Sequence, residues 1–160
     1  MLTRPNRYIH LTVIAAKEHH KGAQGEHFFE GYFLEKGIFI ACPKHDLHRV
    51  DCVVEWEGRL VRVNVKTMAR NGGTASRDSY TTNLTTRCPS GIRRYLPSEL
   101  DYFGIVNLAF EAIWMVPLSA TKTQTLSWHP PTKAHRKHPR SFDWDSYRIK
   151  SIPDNVLQLS

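Results

Sequence analysis

The chain has 160 residues, 41% of them apolar and 23% charged, with 22 Lys plus Arg against 15 Asp plus Glu and a net charge of +7. At this length folding buries roughly 70% of the surface the unfolded chain exposes, so a core forms without disulfide or metal staples, and disordered and collagen-like classes are excluded. Three cysteines (Cys42, Cys52, Cys88) and a first segment, MLTRPNRYIH, without the apolar run of a secretory signal lead to the expectation of a reducing, cytoplasmic setting. No membrane association is expected, because the longest apolar stretch, Tyr102 to Leu118, is broken by Asn107 and Glu111.

Along the chain, Tyr8 to Ala16 is compatible with either a strand or the start of a helix. From about Glu18 to Lys36 apolar pairs recur one turn apart, Phe28 and Phe29 and then Tyr32 and Phe33, with Gly37 where a helix ends, so an amphipathic helix is expected. Ile38 to Cys42 is a short apolar run stopped by Pro43 and reads as a strand. RVDCVVEW and RLVRVNVKT flank Glu57-Gly58 and predict a hairpin with a two-residue turn. Met68 to Pro97 is rich in Gly, Ser, Thr and Arg, which predicts a long functional loop with one strand near Tyr80 to Leu84. Two further strands, Tyr102 to Val106 and Ala112 to Val116, surround a turn through Asn107 to Glu111, and the proline-bearing, basic segment Thr121 to Arg140 is expected to be irregular. A single domain over 1–160 follows, with its core at about 18–118 and a basic irregular tail at 119–160.

The positive charge is localised. Seven bases and one acid between Arg62 and Arg94 give +6, five bases without an acid between Lys122 and Arg140 give +5, and the remainder is −4. Two basic segments on an otherwise acidic chain suit a polyanion, because each phosphate contact releases a counterion. Double-stranded DNA is the leading partner, with Arg62, Arg70, Arg77, Arg87, Arg93 and Arg94 as candidate contacts. A solvated basic surface with no ligand accounts for the charge equally well.

The hairpin fixes a register. A two-residue turn pairs Trp56 with Arg59 and, counting back, Asp51 with Asn64. Cys52, Val54, Trp56, Val61, Val63 and Val65 then form an apolar face, while the other face brings Asp51, Asn64 and Lys66 into one patch, with opposed Cβ atoms about 5 Å apart. Glu26 lies on the helical stripe of Phe29 and Phe33, an anomaly unless it meets a cation, and Glu30 is a second such acid. Glu26 and Asp51 are the residue types that hold a divalent metal, with Lys66 beside a scissile phosphate. Asp51 is equally readable as a strand-edge acid paired with Arg62 or Lys66. Asp101 is either a turn acid or a residue that positions the basic loop. The spacing Cys42, His45, His48, Cys52 suggests zinc, but Cys52 belongs to the apolar face and the gaps do not match paired-ligand knuckles.

Gly25-Glu26 on a helix, Gly37 to Pro43 as a strand, Arg49-Val50-Asp51, then Asn64-Val65-Lys66, and later Asp101 to Val106 and Trp114 to Leu118, together resemble the PD-(D/E)XK nuclease superfamily. More narrowly they resemble its branch of intron-encoded homing endonucleases, with Holliday junction resolvases more distant. The resemblance spans about Gly22 to Leu118. It implies an α/β (α+β) restriction-endonuclease-like core, a mixed central sheet with an N-terminal helix packed on it, and a Mg²⁺-dependent (or Mn²⁺-dependent) DNA endonuclease acting as a homodimer or homotetramer. It further implies a catalytic set of Glu26, Asp51, Asn64 and Lys66. Asp51 would be the direct metal ligand, Glu26 would support the metal or its water, the Val65 carbonyl would join them, and Lys66 would orient the attacking water. Asn64 departs from the family, which mostly has an acid there. The amide brings no charge and weakens metal binding unless Glu26 compensates, so a non-catalytic nucleic-acid-binding protein on a degenerate fold is the alternative, beside a junction resolvase.

Overall fold

The computed structural model describes residues 7–44, 49–71, 79–131 and 142–150, with helix side chains from His20 onward. Helix α1 (Arg7–Glu35) resolves the ambiguity of the N-terminal arm. The β-branched residues Ile9, Thr12, Val13 and Ile14 favour extension locally, but propagating a helix is cheap once it is nucleated, and no Pro or Gly interrupts residues 7–21. The helix ends as expected at Gly37, whose φ of 66° supplies the left-handed residue of a Schellman cap. The amide of Ile38 reaches the Phe33 carbonyl at 3.0 Å and that of Gly37 reaches Leu34 at 3.0 Å.

Ten strands in chain order follow before the last: β1 (Ile40–Ala41), β2 (Cys52–Trp56), β3 (Arg59–Thr67), β4 (Ala69–Asn71), β5 (Ser79–Asn83), β6 (Thr85–Cys88), β7 (Gly91–Arg94), β8 (Tyr102–Asn107), β9 (Ala112–Pro117) and β10 (Thr125–Trp128), with β11 (Arg148–Lys150) closing the described chain. The main sheet has the order β1-β2-β3-β8-β9-β11. It is mixed: β3 and β8 run parallel, while the other neighbours are antiparallel. A parallel pair needs a crossover, and the described residues between 68 and 101 contribute short strands to it. Of these, β4 and β5 join β10 in a three-stranded sheet, and β6 and β7 form a separate hairpin.

Alternation along the central strands splits the core in two. On one face Phe29 and Phe33 of α1 bury fully against Cys52, Val54, Val61, Val63 and Val65. The apolar hairpin face read from the sequence is therefore the helix-bearing face. On the other, Phe103, Ile105, Trp114 and Val116 pack with Tyr80, Leu84, Leu126 and Trp128.

Two expectations are corrected. Residues 68–97 are not a long loop but carry four strands among their described members, because Tyr80, Thr82 and Leu84 alternate inward beneath a polar composition. The segment Thr121 to Arg140 contains β10, whose Leu126 and Trp128 are buried, and β11 of the same C-terminal region joins the sheet edge. Among the described residues no helix is long and apolar enough to cross a membrane.

Candidate active site

The hairpin register is the expected one from Trp56 opposite Arg59 to Cys52 opposite Val63. It breaks at the next step. The Asp51 amide donates to the Val63 carbonyl at 2.9 Å, and its carboxylate Oδ2 accepts the Val65 amide at 2.6 Å. Asp51 thus leaves the ladder instead of opposing Asn64, and its side chain replaces the β2 backbone as partner of Val65. In an extended strand the N–H and C=O of one residue point to the same edge, so the Val65 carbonyl also faces the opening beyond the end of β2.

A cleft of about 290 Å³ lies there, walled by Glu26, Phe29 and Glu30 of α1, by Ile40 and Cys42 of the β1 segment, and by Asp51, Cys52 and Val65. Two close approaches dock α1 over it. A Cβ on Gly25 would fall 1.9 Å from Thr67 Oγ1, and one on Gly104 would fall 2.4 Å from the Phe29 ring. Gly25 therefore lets the helix backbone meet the end of β3, which delivers Glu26 beside it.

Lys66 points to the opposite face from Val65, its ammonium 5.7 Å from the centre of the Tyr95 ring. Burial pushes its pKa below the ordinary value, opposed by the carboxylates of Asp51 and then Glu26. Lys66 thus feels both carboxylates, although it does not line the cleft that Glu26 and Asp51 wall and lies on the opposite face of β3. Burial, then the charges of Glu30 and Glu26, push the Cys42 thiol up. The Cys52 thiol is pushed up chiefly by burial.

Asn64 is buried, and its Nδ2 donates to the Arg49 carbonyl at 3.0 Å. Its Oδ1 is buried without a hydrogen-bond partner. The amide thus braces the segment that leads into Asp51, a contact a carboxylate could not make, and leaves one acceptor unused. Arg49 is held at its other end by Glu99, which also takes Arg93 through two bonds of 2.8 and 2.6 Å. These contacts were invisible in the sequence, since nothing in residue spacing links position 49 to 99.

The basic candidates divide. Arg62 is fully engaged: its Nε and Nη2 bond both oxygens of Asp101 at 2.9 and 3.0 Å, and Nη1 and Nη2 reach the Ser98 and Pro97 carbonyls. Arg62 is thus held by protein acceptors, and of the two readings of Asp101 its bonds to Arg62, which itself reaches the Pro97 and Ser98 carbonyls, favour the one in which it positions the basic loop. Arg93 is likewise committed to Glu99, and Arg94 bonds the Thr121 and Lys122 carbonyls. Arg70 and Arg87 are exposed. Arg87 lines, with Lys66, Thr67 and Thr86, a second cleft of about 370 Å³. Arg77, His45 and His48 lie outside the described residues.

The donor set fits a hard divalent cation. Raised thiol pKa values leave Cys42 and Cys52 largely protonated and poor ligands, so carboxylate and carbonyl oxygens are the donors of this cleft. Among the described residues no three His, Cys, Asp or Glu side chains are gathered to hold an ion alone. Two carboxylates, a backbone carbonyl and water suit Mg²⁺, which retains several waters when bound.

A mixed sheet with one long helix docked across it and acids gathered at a strand end is a restriction-endonuclease-like core. Residues 16–149 match the PD-(D/E)XK endonuclease family, and the chain belongs to that family. A solved bacterial homing endonuclease, I-Ssp6803I, shares the fold with a TM-score of 0.64 and 22% identity, over 80% of this chain and 86% of that one. A comparison with curated protein sequences finds no match.

Proposed function

We infer that the chain is a Mg²⁺-dependent DNA endonuclease of the homing type, hydrolysing phosphodiester bonds in double-stranded DNA as a homodimer or homotetramer, with one site for each strand cut. The observation that carries this reading is the joining of Glu26, Asp51 and Val65 in one cleft, with Lys66 coupled electrostatically to both acids, in a chain of this family. Glu26, Asp51 and the Val65 carbonyl would hold Mg²⁺, with Mn²⁺ as a substitute. When bound, the ion lowers the pKa of its water and neutralises charge on phosphate oxygens. Asp51 is oriented by the Val65 amide, and Asn64 fixes the backbone that precedes it. Lys66 donates to the attacking water or to a non-bridging phosphate oxygen, and its burial strengthens that donation.

Supercoiled plasmid incubated with Mg²⁺ tests the proposal. The wild type should nick and linearise it, and Asp51→Ala or Lys66→Ala should lower cleavage at least 100-fold while binding to DNA stays within a few-fold of wild type. Full cleavage by either variant removes the site. A second reading, a DNA-binding protein on a degenerate fold, draws on Asn64, which spends its amide on Arg49. That protein would shift the plasmid and never nick it with either metal. Preference for four-way junctions over linear duplex would instead mark a junction resolvase.

A further inference from the structure

Strand β1 pairs with β2 through Ile40 opposite Val54 and Ala41 opposite Val53. The Glu55 amide bonds the Phe39 carbonyl at 2.9 Å, which makes Phe39 and Glu55 a hydrogen-bonded pair of the same register. Alternation then makes Ala41 opposite Val53, the last pair of the ladder, hydrogen-bonded, and one further step of the same register would bring Cys42 opposite Cys52 at a non-hydrogen-bonded position. Pro43 lacks an amide hydrogen, so the ladder stops there. Facing residues of a non-hydrogen-bonded pair have Cα atoms about 4.5 Å apart, inside the span of about 4.4 to 6.8 Å that a disulfide bridges. Both side chains also lie on the helix-bearing face: Cys52 and Val54 are core there, Ile40 packs against the same cluster, and Cys42 and Cys52 line the same cleft. Cys42 is exposed and Cys52 is 2% exposed.

We propose that Cys42 and Cys52 form a reversible cross-strand disulfide at the wall of the acidic cleft. The oxidant is a low-molecular-weight disulfide. The small fraction of the accessible Cys42 Sγ that has lost its proton to solvent attacks one sulfur of the oxidant and expels the other half, which leaves as a thiol. Cys52 Sγ then displaces the second half. Two protein thiols lose two protons and two electrons, and the oxidant leaves as two thiols. The new bond lies one residue after Asp51 and takes away the Cys42 thiol beside Glu30. It stands on strand register and holds whether or not the chain cleaves DNA.

The competing thiol is Cys88, whose pKa is lowered by hydrogen bonding to Ser90, so the experiment uses Cys88→Ser beside the wild type. Reduced protein is treated with oxidised glutathione, and free thiols, intact mass and non-reduced peptides are read. Both remaining thiols should disappear together, the mass should fall by two hydrogens with no glutathione retained, the 42-bearing and 52-bearing peptides should be linked, and dithiothreitol should reverse all of it. With Cys52→Ser added, Cys42 should stop at the glutathione adduct. A stable adduct on Cys42 while Cys52 stays free, an unreactive Cys42, or a 42-to-42 link between two chains would each overturn the pairing.

Discussion

Asn64 combines two incompatible demands on one side chain. Its Nδ2 satisfies the Arg49 carbonyl and its buried Oδ1 satisfies nothing, an arrangement that costs about 1–3 kcal/mol unless a cation or water answers the oxygen. Asn64→Asp supplies a second carboxylate near Asp51 but opposes it to the Arg49 carbonyl. In EDTA the variant should lose about 1–3 kcal/mol in urea unfolding, from the broken hydrogen bond and the buried charge. Added Mg²⁺ should return more stability to the variant than to the wild type, since the extra charge faces the cation. Equal Mg²⁺ responses would show that position 64 does not face the ion. Strand alternation makes the shared face of Asn64 and Lys66 legible in the sequence, whereas Asp51 departs from a strict ladder because its carboxylate turns to accept the Val65 amide.

The helix-to-sheet junction carries its own constraint, since Gly104 touches the Phe29 ring and has no room for a methyl group. Gly104→Ala should destabilise the protein by about 1–3 kcal/mol through overpacking. Phe29→Leu should recover part of that loss in the double variant, measured as a coupling energy from the four unfolding curves; strict additivity would mean that the two do not meet. Helix, hairpin and the β8–β9 pair were legible in the sequence because each rests on local periodicity and short turns. β10 was not, since its pairing with β5, such as Tyr80 with Trp128, joins distant residues, and β4, β6 and β7 were not, since their local pairings lie under a polar composition without apolar alternation. Glu99 ties two such distant segments. The bonds from Arg93 and the Leu96 amide hold its carboxyl down to about 2, from an ordinary value near 4.5. A depressed carboxylate contributes stability that is present above its ordinary pKa and lost as pH falls through the folded value. Acid unfolding of the wild type should therefore steepen between pH 4.5 and 2, and Glu99→Gln should be flatter across that window.

Across the whole molecule, net charge overstates the surface available to DNA. Arg62, which folding spends on Asp101, and Arg93, which it spends on Glu99, were both counted in the basic segment from Arg62 to Arg94. Arg87 stays exposed on the β6 hairpin arm, on the same cleft as Lys66. Counterion release makes the logarithm of affinity fall linearly with the logarithm of salt, by about one unit of slope for each phosphate neutralised. Arg87→Ala should therefore reduce the salt slope of duplex binding by about one and leave thermal stability unchanged. Arg62→Lys should do the reverse, because an ammonium cannot reproduce the forked bonding to Asp101 while chelating the Pro97 and Ser98 carbonyls. It should lower Tm and leave the slope where it was. A slope that drops for Arg62→Lys and holds for Arg87→Ala would mean that DNA pulls Arg62 out of its ion pair, and that the duplex lies on the Asp101 side of β3 instead of along the cleft beside Lys66.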